Sequence, residues 1–233
     1  MNKRYKEQFL EFVYRGERTP LSIGTLMVCL LCLLFIIVAT FTQINVSHVL
    51  PSFDEAGDFV FKNVSNPYVP QIPVVIFIAA ILGPLFGFLT MLLYLFIGFF
   101  IWPVFALGGG LDYVKSGLFG YILGYIFAVI PVGRILEKKY NLKNIFLATI
   151  VGVLTVHLCG MLYCMLLAML KIVSFSYVSS AIHSLGGIKT FYDVVISFIF
   201  LILAIPTKMI LWIAMRSSIT KKLKKSKKPV EII

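Results

Sequence analysis

The chain has 233 residues, 60% of them hydrophobic and only 13% charged, with a mean hydropathy of +0.97. Soluble domains carry about 25% charged residues, so this composition excludes an ordinary soluble domain and describes an integral membrane protein. The net charge of +11 does not point to nucleic acid, because the basic residues gather at the chain ends and in one loop, where they act as topology signals.

Residues 1–20 form a polar arm carrying Lys3, Arg4, Lys6, Arg15 and Arg18. Residues 21–42 are apolar and long enough to cross about 30 Å of hydrocarbon as a helix. The run exceeds a signal-peptide core and lacks a small-residue cleavage site, so it reads as a retained span. Residues 43–69 read as a loop with Asp54, Glu55 and Asp58. Residues 71–82 are apolar, Gly83-Pro84 interrupts, and 85–101 are apolar again. Proline removes a backbone donor and restricts the residue before it, so the dipeptide predicts a break between two helices, the first of them short. Residues 118–136 form a fourth apolar segment and 134–143 a basic loop. Residues 144–170 are the fifth segment, 171–187 a polar loop, and 188–215 the sixth segment, before the Lys-rich tail.

Charge orients these segments. The N-terminal arm, the 134–143 loop and the tail hold most of the 21 Lys and Arg, whereas the loops 43–69, 102–117 and 171–187 hold one Lys each. Six spans with both termini in the cytoplasm put every basic segment on one side; five spans would violate the positive-inside rule. The predicted fold is therefore all-α: a basic arm (1–20), one six-helix transmembrane domain (21–216) and a cytoplasmic tail (217–233). The tail, KKLKKSKK, reads as a topology anchor touching anionic lipid.

Residues 102–125, WPVFALGGGLDYVKSGLFGYILGY, concentrate flexible and polar chemistry between two apolar runs. They read as the lid and wall of a binding site, since glycine lets backbone approach a ligand closely. Ionisable residues near the spans are functional candidates, because burying them costs free energy. Gln71 and Asp193 fall at the outer ends of predicted helices and Asp112 in the outer loop after the glycines, together with Gly109, Gly110, Tyr113 and Tyr121. They outline an outward-facing pocket for a small polar molecule. Each has a plainer reading: Asp193 as a charge at a helix N-terminus, Asp112 as a loop residue, Gln71 as a backbone cap.

Other chemistries find no support. His157 is isolated and reads as a buried, hydrogen-bonded histidine; His48 and His183 lack metal-ligand spacing. No phosphate-binding G-x-x-x-x-G-K-[ST] run occurs. Cys29, Cys32, Cys159 and Cys164 lie in apolar segments and read as packing residues. Neither a catalytic set, a metal nor a cofactor is expected. Gly83/Gly87 and Gly120/Gly124 predict close helix approach.

Several runs together resemble the BioY family, the biotin-specific membrane subunits of energy-coupling-factor transporters. They are Gln71-Ile72-Pro73, Leu82-Gly83-Pro84 with Gly87, Tyr94-Leu95 with Gly98, Pro103-Val104-Phe105-Ala106 with glycines 108–110, and Gly120-Tyr121-Ile122-Leu123-Gly124. The resemblance covers roughly residues 70–136, and more loosely the last helix. It implies a substrate-capture subunit of the bacterial plasma membrane that binds biotin near the outer face and partners a transmembrane coupling subunit and two ATPases. It also implies an amide-bearing residue in the glycine loop, where this chain has Gly109, and an Asp on the last helix, here Asp193. A Lys is implied three residues later, where this chain has Ile196, and a cation sometimes found after Tyr121 is Ile122. Lys115 or Lys189 then supplies the partner for the ligand's carboxylate, or the ligand is another small vitamin. A membrane scaffold without cargo is the alternative of a different class, distinguished by an outer cavity filled with side chains.

Overall fold

The computed structural model describes residues 19, 21–53, 58–185 and 187–226. The basic arm before Thr19, the acidic Asp54 and Glu55, and the tail beyond Ser226 lie outside the described residues. Helices are α1 (Ile23–Phe41), α2 (Gln71–Phe100), α3 (Phe119–Lys138), α4 (Leu142–Met169), α5 (Phe175–Leu185) and α6 (Ile188–Ser226). Strands β1 (Ile44–Phe53) and β2 (Phe59–Tyr68) precede α2, and a short 3-10 helix, Leu111–Lys115, precedes α3. Among the described residues, five helices are long and apolar enough to cross a membrane: α1, α2, α3, α4 and the first 24 residues of α6.

Helix α1 starts where Ser22 caps it, accepting a hydrogen bond from the Thr25 amide, as an N-terminal hydroxyl does for an otherwise orphaned N–H. Thr25, Val28, Cys32, Ile36 and Ala39 recur at helical spacing and are buried, whereas Leu26, Met27, Leu30, Leu31 and Leu34 are exposed. A helix apolar on both faces, with one face unburied by protein, matches a lipid-facing span.

Helix α2 is two segments. At Gly83 the backbone takes φ 73°, ψ −178°, a region open essentially to glycine alone. Gly87 then lies against Ala79: a Cβ at Gly87 would meet the Ala79 Cα at 3.6 Å. Residues eight apart in a straight helix stand about 12 Å apart along the axis, so the chain doubles back at Gly83. Both far ends of the hairpin reach Thr40 at the end of α1, Gln71 through its amide (2.8 Å) and Tyr94 through its hydroxyl (3.1 Å). The break expected at Gly83-Pro84 is present, and with it six helical segments that run through the bundle. The break frees the Leu82 carbonyl, which accepts the Thr19 hydroxyl at 2.9 Å. Residues 71–82 extend only about 18 Å, short of about 30 Å of hydrocarbon.

Helices α3 and α4 pack closely through small residues. A Cβ at Gly124 would stand 2.8 Å from the Val156 Cα, and one at Gly160 would meet the Tyr121 ring at 2.5 Å. The expected close approach at Gly120/Gly124 is therefore an internal one. Gly133 performs the same service for the hairpin turn, its Cα facing the Pro84 nitrogen so that an added Cβ would lie 2.5 Å from it.

Three expectations are corrected. Residues 43–69 hold an antiparallel ribbon, with Ile44 opposite Tyr68 and Phe53 opposite Phe59. The basic residues Arg134 and Lys138 sit on the last turns of α3 rather than in a loop. Within 171–187, Phe175–Leu185 is helical, packing Val178 against Cys164 and Ala168 of α4.

Gly83→Ala would force a side chain into the glycine-only region at a cost of about 1–3 kcal/mol, and its Cβ would meet Glu137 Oε1 at 2.8 Å. Its unfolding temperature in detergent is expected to fall clearly below that of Leu85→Ala, a truncation of an exposed residue. Equal unfolding temperatures for the two variants would contradict the hairpin turn.

Candidate functional site

The end of the bundle that holds Thr40, Gln71 and Tyr94 also encloses a cavity of about 210 Å³. The base of the β-ribbon contributes Pro67, Tyr68 and Val69 to its wall; α2 contributes Gln71 and Ile72; α3 and the preceding loop contribute Tyr113, Leu118, Tyr121, Ile122 and Tyr125. Ala106, His157 of α4, and Lys189 and Asp193 of α6 complete it. Its walls are mostly apolar or aromatic, with a few convergent polar groups, as in small-molecule sites generally.

Asp193 dominates the electrostatics. Its residue is only 5% exposed, and burying a polar group costs free energy unless it is hydrogen-bonded. The Tyr68 hydroxyl donates to Oδ1 at 2.8 Å, and His157 Nε2 lies 3.1 Å from Oδ2. Thr190 Oγ1 stands 3.5 Å from the same imidazole nitrogen, and the Tyr121 ring meets the imidazole edge-on at 5.9 Å. Burial first, and then the Asp193 carboxylate, push the Tyr68 phenol far above its ordinary pKa. Tyr68 therefore keeps its proton and remains a donor to Asp193. Because two oxygens carry about four lone-pair sites, Asp193 can still accept from a ligand in the cavity.

Lys189 lies four residues before Asp193 and lines the same cavity. Residues four apart on a helix share one face, so an ammonium and a carboxylate are offered to a ligand from one stripe of α6.

A second polar chain supports the wall. Gln71 accepts from the Tyr125 hydroxyl at 3.0 Å and donates to Thr40 at 2.8 Å. The Tyr94 hydroxyl, 3.1 Å from Thr40, also reaches the Val104 carbonyl at 3.1 Å. These bonds tie α1, both arms of the α2 hairpin, α3 and the 102–110 loop together behind the cavity.

Of the residues selected from sequence, Gln71, Tyr113, Tyr121 and Asp193 come together here. Gly109, Gly110 and Asp112 do not. The Gly110 amide donates to the Gly98 carbonyl at 2.8 Å, and a Cβ at Gly109 would meet that carbonyl and Pro103 at 2.6 Å. The glycines thus fold the loop onto the end of α2 instead of offering backbone to the cavity. Asp112 points outward with its side chain 90% exposed, 2.7 Å from Lys115, whose ammonium holds the carboxyl below its ordinary pKa. Trp102 is likewise exposed. What the 102–125 stretch brings to the cavity is Tyr113, its phenol pushed up to about 12 by burial, together with Ala106 and the start of α3.

Tyr68 and His157 went unselected. Tyr68 falls at the end of the predicted 43–69 loop, just before the second predicted helix. His157 was read as buried and hydrogen-bonded, which it is, but its partner, 36 residues away, is Asp193.

The BioY family model matches residues 17–223. The chain is 31% identical over 99 residues to a probable biotin transporter BioY of Lysinibacillus sphaericus, covering 42% of this chain and 50% of that protein. It is 34% identical over 89 residues to a probable biotin transporter BioY of Rickettsia prowazekii (strain Madrid E), covering 37% and 45%. The matches thus span about half the length of these curated relatives. Among solved structures, the S-component for biotin from an ECF-type ABC transporter superposes with a TM-score of 0.56 at 17% identity, covering 89% of this chain and 94% of that one; this likeness concerns the fold. Since the family model runs through nearly the whole six-segment bundle and both polar walls of the cavity, the chain belongs to the BioY family.

Proposed function

We propose that the chain is the substrate-capture subunit for biotin uptake in an energy-coupling-factor transporter of the bacterial cell membrane. The observation that carries this reading is the buried Asp193 in the wall of a small cavity, with acceptor capacity to spare and Lys189 one turn away on the same helix. A cavity of about 210 Å³ suits one compact molecule and not a peptide. It is also an opening where a scaffold would have packed side chains.

Biotin offers two ureido N–H donors at one end and a carboxylate at the other. Asp193 is the acceptor for the ureido N–H groups, and the Tyr121, Ile122 and Leu118 side chains cover the apolar bicycle. Lys189 is the cation for the carboxylate. Lys115 is not, because it is engaged by Asp112 on the exposed surface. A site built on buried polar groups rejects analogues that leave one unpaired, and this is the larger source of discrimination.

The positive-inside rule supports both termini in the cytoplasm and the cavity on the outer side. Capture alone moves nothing across a membrane. Because the sequence holds no phosphate-binding loop, release toward the cytoplasm would fall to a transmembrane coupling subunit and two ATPase subunits. The chain's role is transport, not catalysis.

Labelled biotin titrated against the purified protein tests the ligand. Wild type is expected to bind, and Asp193→Asn to bind about tenfold or more weakly, since hydrogen bonds to a charged group contribute about 1.5–3 kcal/mol. No binding by wild type would point to another small vitamin; equal affinity in the variant would remove Asp193 from the site. Lys189→Gln is expected to weaken biotin about tenfold yet leave biotin amide, which lacks the carboxylate, unchanged. If both ligands weakened alike, Lys189 would not be the carboxylate's partner. Asp112→Asn is expected to leave biotin affinity at the wild-type value, and a loss there would restore the glycine loop to the site.

A further inference from the structure

A second cavity, of about 450 Å³, lies at the opposite end of the bundle beside the turn of the α2 hairpin. Leu85, Phe88 and Ile130 form apolar walls, and Thr19, Arg134 and Glu137 form a polar edge. The apolar side is not sealed from lipid. Leu85 is 62% exposed, and Leu89 and Leu92 farther along the same segment and Phe127 on α3 are exposed too. The cavity therefore opens sideways onto the flank that acyl chains would cover, between the second arm of the hairpin and α3.

The polar edge lies near the end of an apolar span, with Arg134 about one turn from the end of α3 at Lys138. Thr19 is committed to the Leu82 carbonyl, and Glu137 lies within electrostatic reach of the buried Lys208. Arg134 is different. It is exposed, and among the described residues it has neither a hydrogen-bond nor an ion-pair partner. A guanidinium offers a rigid fork of donors that matches a phosphate, here above walls that match a hydrocarbon chain. The cation and the apolar walls face the two halves of one molecule.

We propose that this second cavity is a binding site for one anionic phospholipid, its phosphate on Arg134 and one acyl chain along Ile130, Phe88 and Leu85. The phosphate and the chain must belong to the same molecule, so a free phosphate ion satisfies only the rim and an uncharged lipid only the walls. The site is separate from the Asp193 cavity and does not depend on what that cavity binds.

Native mass spectrometry of the full chain in mild detergent, titrated with phosphatidylglycerol, tests the site. One saturable molecule per chain is expected for the wild type. Arg134→Gln is expected to weaken it about tenfold, in the range of a charge-assisted hydrogen bond. Ile130→Trp, which fills the apolar wall, is expected to weaken it as well. Lys138→Gln, removing a neighbouring cation at the same end of α3, is expected to bind as the wild type does, and glycerol phosphate is expected not to compete. All variants are first confirmed monodisperse by size exclusion. Equal weakening by Arg134→Gln and Lys138→Gln would overturn the site in favour of a diffuse basic surface. Displacement by glycerol phosphate, or no saturable lipid on the wild type, would overturn it too.

Discussion

A carboxylate buried among apolar helices is tolerated only if its lone pairs are satisfied, since the cost of leaving such a charge unpaired exceeds several kcal/mol. Much of this fold can be understood as the means of meeting that requirement at Asp193. Its two hydrogen-bonding neighbours come from opposite directions in the chain: Tyr68 from the last position of β2, and His157 from the middle of α4. The β-ribbon, marginal as an isolated two-stranded element, is held at its base by the bond that satisfies Asp193. That base then forms part of the cavity wall. One polar cluster thus anchors an appendage, joins α4 to α6 and leaves an acceptor facing the cavity.

The rest of the architecture brings those elements into register. The turn at Gly83 folds α2 so that Gln71 and Tyr94 meet Thr40 at the same end as Asp193. Glycines at the α3–α4 interface let Tyr121 of α3 lie against α4 at Gly160, which sets the ring beside His157. Phe105, buried between Tyr94, Phe99 and Tyr113, pins the 102–110 loop over the end of α2. Apolar packing gives a membrane bundle little preference for one helix arrangement over another, since lipid tails are as apolar as leucine. The small-residue contacts and the two polar chains are therefore what single out this arrangement.

How much of this could be read from sequence follows from the kind of signal each feature leaves. Long apolar runs and the glycine–proline break are local patterns, and the segments and the hairpin turn came out close to their observed places. Gln71 and Asp193 stand out because ionisable or amide groups contrast with apolar sequence, and both line the same cavity. The glycine loop is ambiguous in sequence because glycine serves two purposes. Close approach to a ligand and close approach to another backbone look the same in sequence, and here Gly109 and Gly110 meet the end of α2. Asp112 is ambiguous in the same way: its partner, Lys115, lies only three residues on, and the pair is exposed. Tyr68 and His157 were illegible because their roles rest on pairings 125 and 36 residues away. Pro51 in β1 and Pro67 in β2 disguised the ribbon, since proline argues against a strand.

Asp193, between the ribbon base and α6, is the proposed seat of the ligand, apart from the glycine loop. A structure of the purified chain with biotin bound tests this most directly. The ureido nitrogens are expected within hydrogen-bonding distance of the Asp193 carboxylate and the ligand's carboxylate toward Lys189, with Tyr68 and His157 still on Asp193. Biotin lodged instead against Gly109, Gly110 and Asp112, with the Asp193 cavity empty, would contradict it.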